Sequence, residues 1–293
     1  FTWTIANPDP LAIPDTGTTD EDTPLSVDAA NGVLANDSDP DGDALTVIPQ
    51  DGVAGDNGGL FTLRPDGSYE FDPNGEFEDL AVGEERTTSI EYTVSDGEGG
   101  TSTATLTITV TGTNDTPVVA GTLAPQESDD AETDIRVDVK GGFTDPDTGD
   151  TLTYTAEGLP EGLTLDPQTG IISGTIDASA SQSGTAGNPD GTYTVIVTAT
   201  DGHGGSVTQS FDWVVENPAP AALPDTGTTD EDTPLSVDAA SGVLANDQDP
   251  DGDDLDVAAV DGDAGNVNQP VAGSGGGLFT LRPDGSYDFD PNG

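Results

Sequence analysis

The residues of this chain with the clearest chemistry are carboxylates at alternate positions. DPDGD supplies Asp39, Asp41 and Asp43, and it recurs as Asp249, Asp251 and Asp253. DPDTGD supplies Asp145, Asp147 and Asp150. Gly42 and Gly252 let the two DPDGD loops wrap tightly. Calcium takes about six to eight hard oxygen ligands, and three carboxylates on one short loop provide a large part of such a shell. None of these loops is an EF-hand, because the full loop pattern with its terminal Glu is missing. The competing reading is an ordinary solvated turn, since Asp, Gly and Pro are what turns use. Asp20, Asp22, Asp129 and Asp130 read as solvated surface.

Other chemistries lack an inventory. His203 is the single histidine and sits in DGHGG, a turn without a nucleophile or positioned partner beside it. No Gly-rich phosphate loop precedes a helix, and paired carboxylates are too common here to signal a glycosidase. The chain reads as a non-enzyme. With 57 Asp and Glu against five Lys and Arg, the formal charge is −52. Such a chain repels itself when compact, so divalent cations are the natural counter-charge. Nucleic acid and anionic membranes are poor partners, because there is no basic patch to neutralise phosphate. With no cysteine, cores or metals rather than disulfides must hold the modules.

The elements that must position these loops are strands. Apolar residues alternate with polar ones in TSTATLTITVTG, where Leu106, Ile108 and Val110 face one way. Ile90, Tyr92 and Val94 form the strand before it, joined through the Gly-rich turn SDGEGG. Phe61 and Leu63 pair with Tyr69 and Phe71 in a second hairpin, and Leu25/Val27 and Leu45/Val47 supply two more strands. A second set carries Ile135 to Val139, Leu152 and Tyr154, Leu163 and Leu165, Ile171 and Ile172, Tyr193 to Ala199, and Val207 to Val215. Trp3 and Trp213 occupy equivalent strand positions and read as core. Six or so short strands per hundred residues predict an all-β chain of immunoglobulin-like sandwiches. In a sandwich the loop after the second strand and the loop between the last two strands share one end. Asp39 and Asp41 are therefore expected to meet Asp96, and Asp145 and Asp147 to meet Asp201.

The chain also repeats itself. Pro14–Val47 returns as Pro224–Val257 with four differences, and Gly58–Gly75 returns as Gly276–Gly293 after eight extra residues in the NVNQPVAGSG stretch. A period this long signals tandem domains. The expected division is a last strand of a preceding module at 1–10, a full module at 11–116, a module of another type at 117–217, and a partial copy of the first type at 218–293. The boundaries TGTNDTP and ENPAPAALPD are short and Pro-bearing, which favours stiff connections.

The first module, with EDTPLSVDAANGVLANDSDPDGD at its start and EYTVSDGEGGTSTATLTITVTGTND at its end, resembles the VCBS/cadherin-like repeat of giant bacterial RTX-type adhesins. The second, with FTDPDTGDTLTY, GLPEGLTLDPQTGIISGT and YTVIVTATDGHGG, resembles the dystroglycan-type cadherin-like Ig domain. The resemblance implies an elongated array of cadherin-like sandwiches with calcium where one module meets the next. Cadherins hold it with a linker Asn-Asp, an Asp-x-Asp loop and a Glu from the previous module. By position Asn114 and Asp115 match the linker, and Glu21 matches the upstream Glu. Glu127 and Asn217 are placed at the next junction, and Glu231 is the repeat counterpart of Glu21. The implied function is a calcium-stiffened stalk or fibre segment of a secreted or cell-surface adhesin, with neighbouring modules as partners. The alternatives are a glycan- or protein-binding module, through Ser179 to Asp190 or the insert Asn266 to Gly275, and a subunit that assembles with other copies into an extracellular filament.

Overall fold

The alternation of the first module closes into a two-sheet sandwich. Its strands are β1 (Asp15–Asp20), β2 (Leu25–Val27), β3 (Thr46–Val47), β4 (Gln50–Ala54), β5 (Leu60–Leu63), β6 (Tyr69–Asp72), β7 (Glu85–Ser95) and β8 (Thr101–Thr111). One sheet has the order β1-β8-β7-β3 and the other β2-β6-β5-β4. Strands β7 and β8 pair over their full length, Glu85 opposite Thr111 and Ser95 opposite Thr101. The first strand runs parallel to the last, from Asp15 opposite Leu106 to Asp20 opposite Thr111. Inward residues of both sheets (Phe61, Leu63, Phe71, Tyr92, Leu106 and Ile108) are buried together. Each such side chain contributes about 1.5–3 kcal/mol by leaving water. The computed structural model describes residues 1, 3 and 7–291, and among them the only helical turns are four short 3-10 segments.

The outer edge of β7 is capped. Its carbonyls at Thr93, Glu91, Ser89 and Thr87 accept from Ile48 N, Gln50 Nε2, Asp56 N and Asn57 Nδ2. This removes the row of free acceptors that would otherwise recruit another strand.

The second module contributes β9 (Val118–Val119), β10 (Gln126–Asp129), β11 (Ile135–Asp138), β12 (Phe143–Thr144), β13 (Thr153–Glu157), β14 (Leu163–Asp166), β15 (Ile171–Gly174), β16 (Thr192–Thr200) and β17 (Ser206–Glu216). Compact packing divides the chain into two units, and the division runs through this module. Unit one is Phe1–Gly121 with Gly141–Tyr154 and Thr198–Thr208; unit two holds the rest. Within unit one, β9 pairs with β12, and the Phe143 and Tyr154 rings lie 6.0 Å apart. Within unit two, β10 runs parallel to β17, Gln126 opposite Trp213 and Asp129 opposite Glu216, and β11, β15 and β14 form a three-stranded sheet.

Unit two also holds β18 (Leu235–Val237), β19 (Val271–Ala272), β20 (Leu278–Leu281) and β21 (Tyr287–Asp290), in one sheet of order β18-β21-β20-β19. Val271 opposite Phe279 and Ala272 opposite Leu278 repeat Val53 opposite Phe61 and Ala54 opposite Leu60. The eight extra residues of this copy therefore lie ahead of Val271. The Val271–Gly275 end of the expected insert is ordinary repeat.

The last strand expected at 1–10 falls on residues 2 and 4–6, which lie outside the described residues. One expectation needs correction. Trp213 is buried, its Nε1 donating to Ser128 Oγ at 3.3 Å, whereas Trp3 is exposed.

Candidate metal centre

The parallel register of β1 with β8 continues one residue past the strand, where Glu21 N donates to Thr111 O at 3.1 Å. This seats Glu21 beneath the linker, 2% exposed. Its Oε1 accepts from Thr113 N at 2.6 Å and from Thr113 Oγ1 at 3.2 Å. Asn114 Nδ2 then donates to Asp201 Oδ2 at 3.1 Å, and Asp115 N donates to Asp147 Oδ2 at 3.2 Å. Asp147 N donates to Asp145 Oδ1 at 3.1 Å. Thr148 N donates to Asp79 O at 3.1 Å and ties the DPDTGD loop to the first module directly.

These donors are spent on one oxygen of each carboxylate, and other oxygens remain. Glu21 Oε2, Asn114 Oδ1, Asp115 Oδ2, Asp145 Oδ2 and Asp147 Oδ1 are buried and have no hydrogen-bond partner. Carboxylate oxygens of Glu21, Asp115 and Asp147 lie within 4.8 Å of one another, as do those of Asp145, Asp147 and Asp150. Ligands at about 2.3–2.6 Å from one calcium ion are at most roughly 5 Å apart, so this spacing fits. The donor set is also the right type: hard oxygen from four carboxylates and one amide, without nitrogen or sulfur.

The electrostatics record the same crowding. Burial pushes the Glu21 carboxyl up, and nearby Asp115 and Glu78 add to it against the Thr113 hydrogen bonds. Burial likewise raises Asp115, with Glu78, Asp22 and Asp145 as neighbouring charges. Burial raises Asp145 and Asp147 too, each further pressed by Asp150 and Asp201. Burial works upward on Asp201 as well, but Asn114 and the amides of His203, Gly204 and Gly205 outweigh it and hold the carboxyl low. Asp201 Oδ1 accepts those three N–H groups at 2.7–3.0 Å.

The structure thus gathers Glu21, Asn114, Asp115, Asp145, Asp147 and Asp201 in one place. Asp150 stands at its margin, its Oδ2 3.0 Å from His203 Nδ1. At the corresponding end of the first module Asp39, Asp41 and Asp43 form a group, with Asp39 Oδ1 accepting from the amides of Asp41, Gly42 and Asp43. A shared hydrogen bond with Asp39 pushes Asp41 up to about 6. Asp96 is held as Asp201 is, by a linker Asn and three loop amides. It accepts from Asn7 Nδ2 at 2.6 Å and from the amides of Glu98, Gly99 and Gly100.

At the second linker the gathering is thinner. Asn217, with its amide turned to suit both neighbours, donates to Asp251 Oδ2 at 3.0 Å. Among the described residues Asp249, Asp251 and Asp253 do not form a close carboxylate group. Glu231 is exposed, and Glu127 is exposed on β10 opposite Val214. The structural counterpart of Glu21 is Asp130, which follows β10 as Glu21 follows β1, its N donating to Glu216 O at 2.9 Å. Asp130 is 3% exposed, so it is not the solvated residue that its acidic surroundings suggest. Counting back from the strand that pairs with the last strand of the module would have found it.

The bacterial cadherin-like domain family matches residues 7–112 and 217–293. The chain belongs to that family. The Putative Ig domain family matches residues 116–216 between the two bacterial cadherin-like stretches. Among solved structures the chain is similar to human CDH23 EC21-23, at 19% identity and a TM-score of 0.53, over 97% of this chain and 90% of that one. It is also similar to human mucin-like protocadherin EC1-2, at 13% identity and a TM-score of 0.45, over 72% of this chain and 99% of that one. Among curated proteins none matches. The likeness to CDH23 is one of fold: tandem cadherin-like domains. No helix among the described residues is long and apolar enough to cross a membrane.

Proposed function

We propose that this chain is a calcium-stiffened extender, a stalk or fibre segment of a large secreted or cell-surface bacterial adhesin. One observation carries the reading: five buried, partnerless oxygens from Glu21, Asn114, Asp115, Asp145 and Asp147 converge from a strand end, a linker and the following module's loop. A bound calcium ion supplies positive charge to which all of these oxygens can turn. The chain's own residues prepare the place. Thr113 fixes one oxygen of Glu21 and leaves the other free; Asn114 and the Asp115 amide hold Asp201 and Asp147 in position. Cadherin-like families make adhesion and spacer modules, which fits near-identical copies in tandem.

Small-angle scattering with calcium and with chelator tests this. Chelation is expected to broaden the distribution of molecular lengths, and an unchanged distribution would overturn the proposal. The recognition alternative has less support. The loop Ser179 to Asp190 is tied down, with Ser181 N on Asp130 Oδ1, Gly191 N on Ser183 O, and Tyr193 Oη on Ala180 O. The filament alternative loses one route, since the capped edge of β7 is closed to lateral pairing.

A further inference from the structure

We propose that the two linkers differ in kind: the second carries a weaker cation site, with Asp130 as its contribution from the second module, and works as a hinge at calcium levels that already stiffen the first. This rests on the calcium reading above and deepens it. Three differences on the page support it.

The first is the loss of the linker carboxylate. A Cβ added at Gly205 would lie 3.0 Å from Thr116 Cα, and one added at Gly100 would lie 3.2 Å from Asp9 Cα. Thr116 and Asp9 are therefore equivalent, and so are Asp115 and Pro8. The NPDP stretch at Asn7 recurs as NPAP at Asn217, so Pro218 stands where Asp115 does. Proline offers neither the buried Oδ2 of Asp115 nor the N–H that positions Asp147. Asp9 has become Ala219 as well.

The second difference is length. From the residue paired with Glu21 to Asn114 the chain runs Thr111, Gly112, Thr113, Asn114; from the residue paired with Asp130 it runs directly from Glu216 to Asn217. No counterpart of Thr113 exists to fix the carboxylate from the linker side.

The third is the anchor itself. Asp130 is one methylene shorter than Glu21, yet it is built the same way. One oxygen accepts a backbone amide, from Ser181 at 2.8 Å, and the buried Oδ2 has no partner. A carboxylate 3% exposed with a free oxygen at the start of the linker offers a cation a ligand, beside a linker that has lost the Asp115 charge to Pro218. Calcium affinity follows ligand charge, and the charge is lower here, where Pro218 stands in place of Asp115.

The test uses the whole chain, whose lack of cysteine allows clean spin-labelling. One variant carries Asp51→Cys with Gln168→Cys, the other Gln168→Cys with Ala259→Cys, all at exposed positions. Pulsed distance measurements follow both pairs through a calcium titration. The first pair is expected to narrow at calcium about tenfold or more below the second, and Pro218→Asp should bring the second midpoint down toward the first. Coincident midpoints, or a second midpoint unmoved by Pro218→Asp, would overturn the hinge while leaving the calcium reading in place. If neither pair responds to calcium, both fall.

Discussion

Glu21 and Thr113 hold each other so that half of a carboxylate is consumed and half is kept free: Oε1 takes the Thr113 amide at 2.6 Å, and Oε2 stays buried without a donor. The predicted phenotype of Glu21→Gln follows. Losing one charge from a crowded cluster should raise the melting temperature in chelator and lower calcium affinity about tenfold. Thermal unfolding in chelator and calorimetric titration with calcium read the two effects, which must have opposite signs. A purely structural role for Glu21 would lower stability in both conditions.

The raised carboxyls give a pH dependence with a definite sign. Glu21, Asp115, Asp145 and Asp147 bind protons more readily folded than unfolded. Their contribution is present in acid and is lost as pH rises through their folded values. Calcium-free protein should therefore become more stable from neutrality down toward the ordinary carboxylate range. Asp96 and Asp201 are held low and work the other way, so stability should fall again once pH passes below that range. In calcium the first trend should invert, because protons compete for the ligands. Parallel melting curves across pH, with and without calcium, check this.

Gly205 lies against the site with no room to spare. A Cβ there would fall 2.1 Å from Asp201 Oδ2 and 3.0 Å from Thr116 Cα. Gly205→Ala should cost about 1–3 kcal/mol and weaken calcium binding together with stability. Gly202 has open space but a φ of 86°, so Gly202→Ala should cost about 1–2 kcal/mol through backbone strain alone. Calcium affinity should separate the two variants where denaturation midpoints do not.

Tyr92 is buried, and its hydroxyl reaches Asp15 Oδ2 at 2.6 Å, Ile13 O at 3.1 Å and Val33 O at 3.3 Å. Tyr92→Phe removes the donor and leaves the Asp15 carboxylate facing the core. We expect a loss of about 1–3 kcal/mol, read as a lower urea midpoint with calcium binding retained.

Strand content was legible because period-two alternation is a local signal: Leu106, Ile108 and Val110 announce themselves within a few residues. The loop carboxylates were legible because turns concentrate Asp and Gly. What local reading missed depends on pairing. Whether Glu127 or Asp130 faces the linker is set by the parallel register of β10 with β17, and an acidic run of Glu, Asp and Asp gives no sign of which member is buried. The place of the eight extra residues also needed the strand register of Val271.

The parallel pairing of β1 with β8 has a mechanical consequence. A module pulled by its two ends has those strands drawn in opposite directions along their shared length, from Asp15 opposite Leu106 to Asp20 opposite Thr111. The load falls on the whole ladder at once, in shear, instead of peeling one hydrogen bond after another. Glu21 sits at the end of that ladder. A cation there would add its bonds to the place where tension first enters the sandwich, so that the element that sets spacing also bears force.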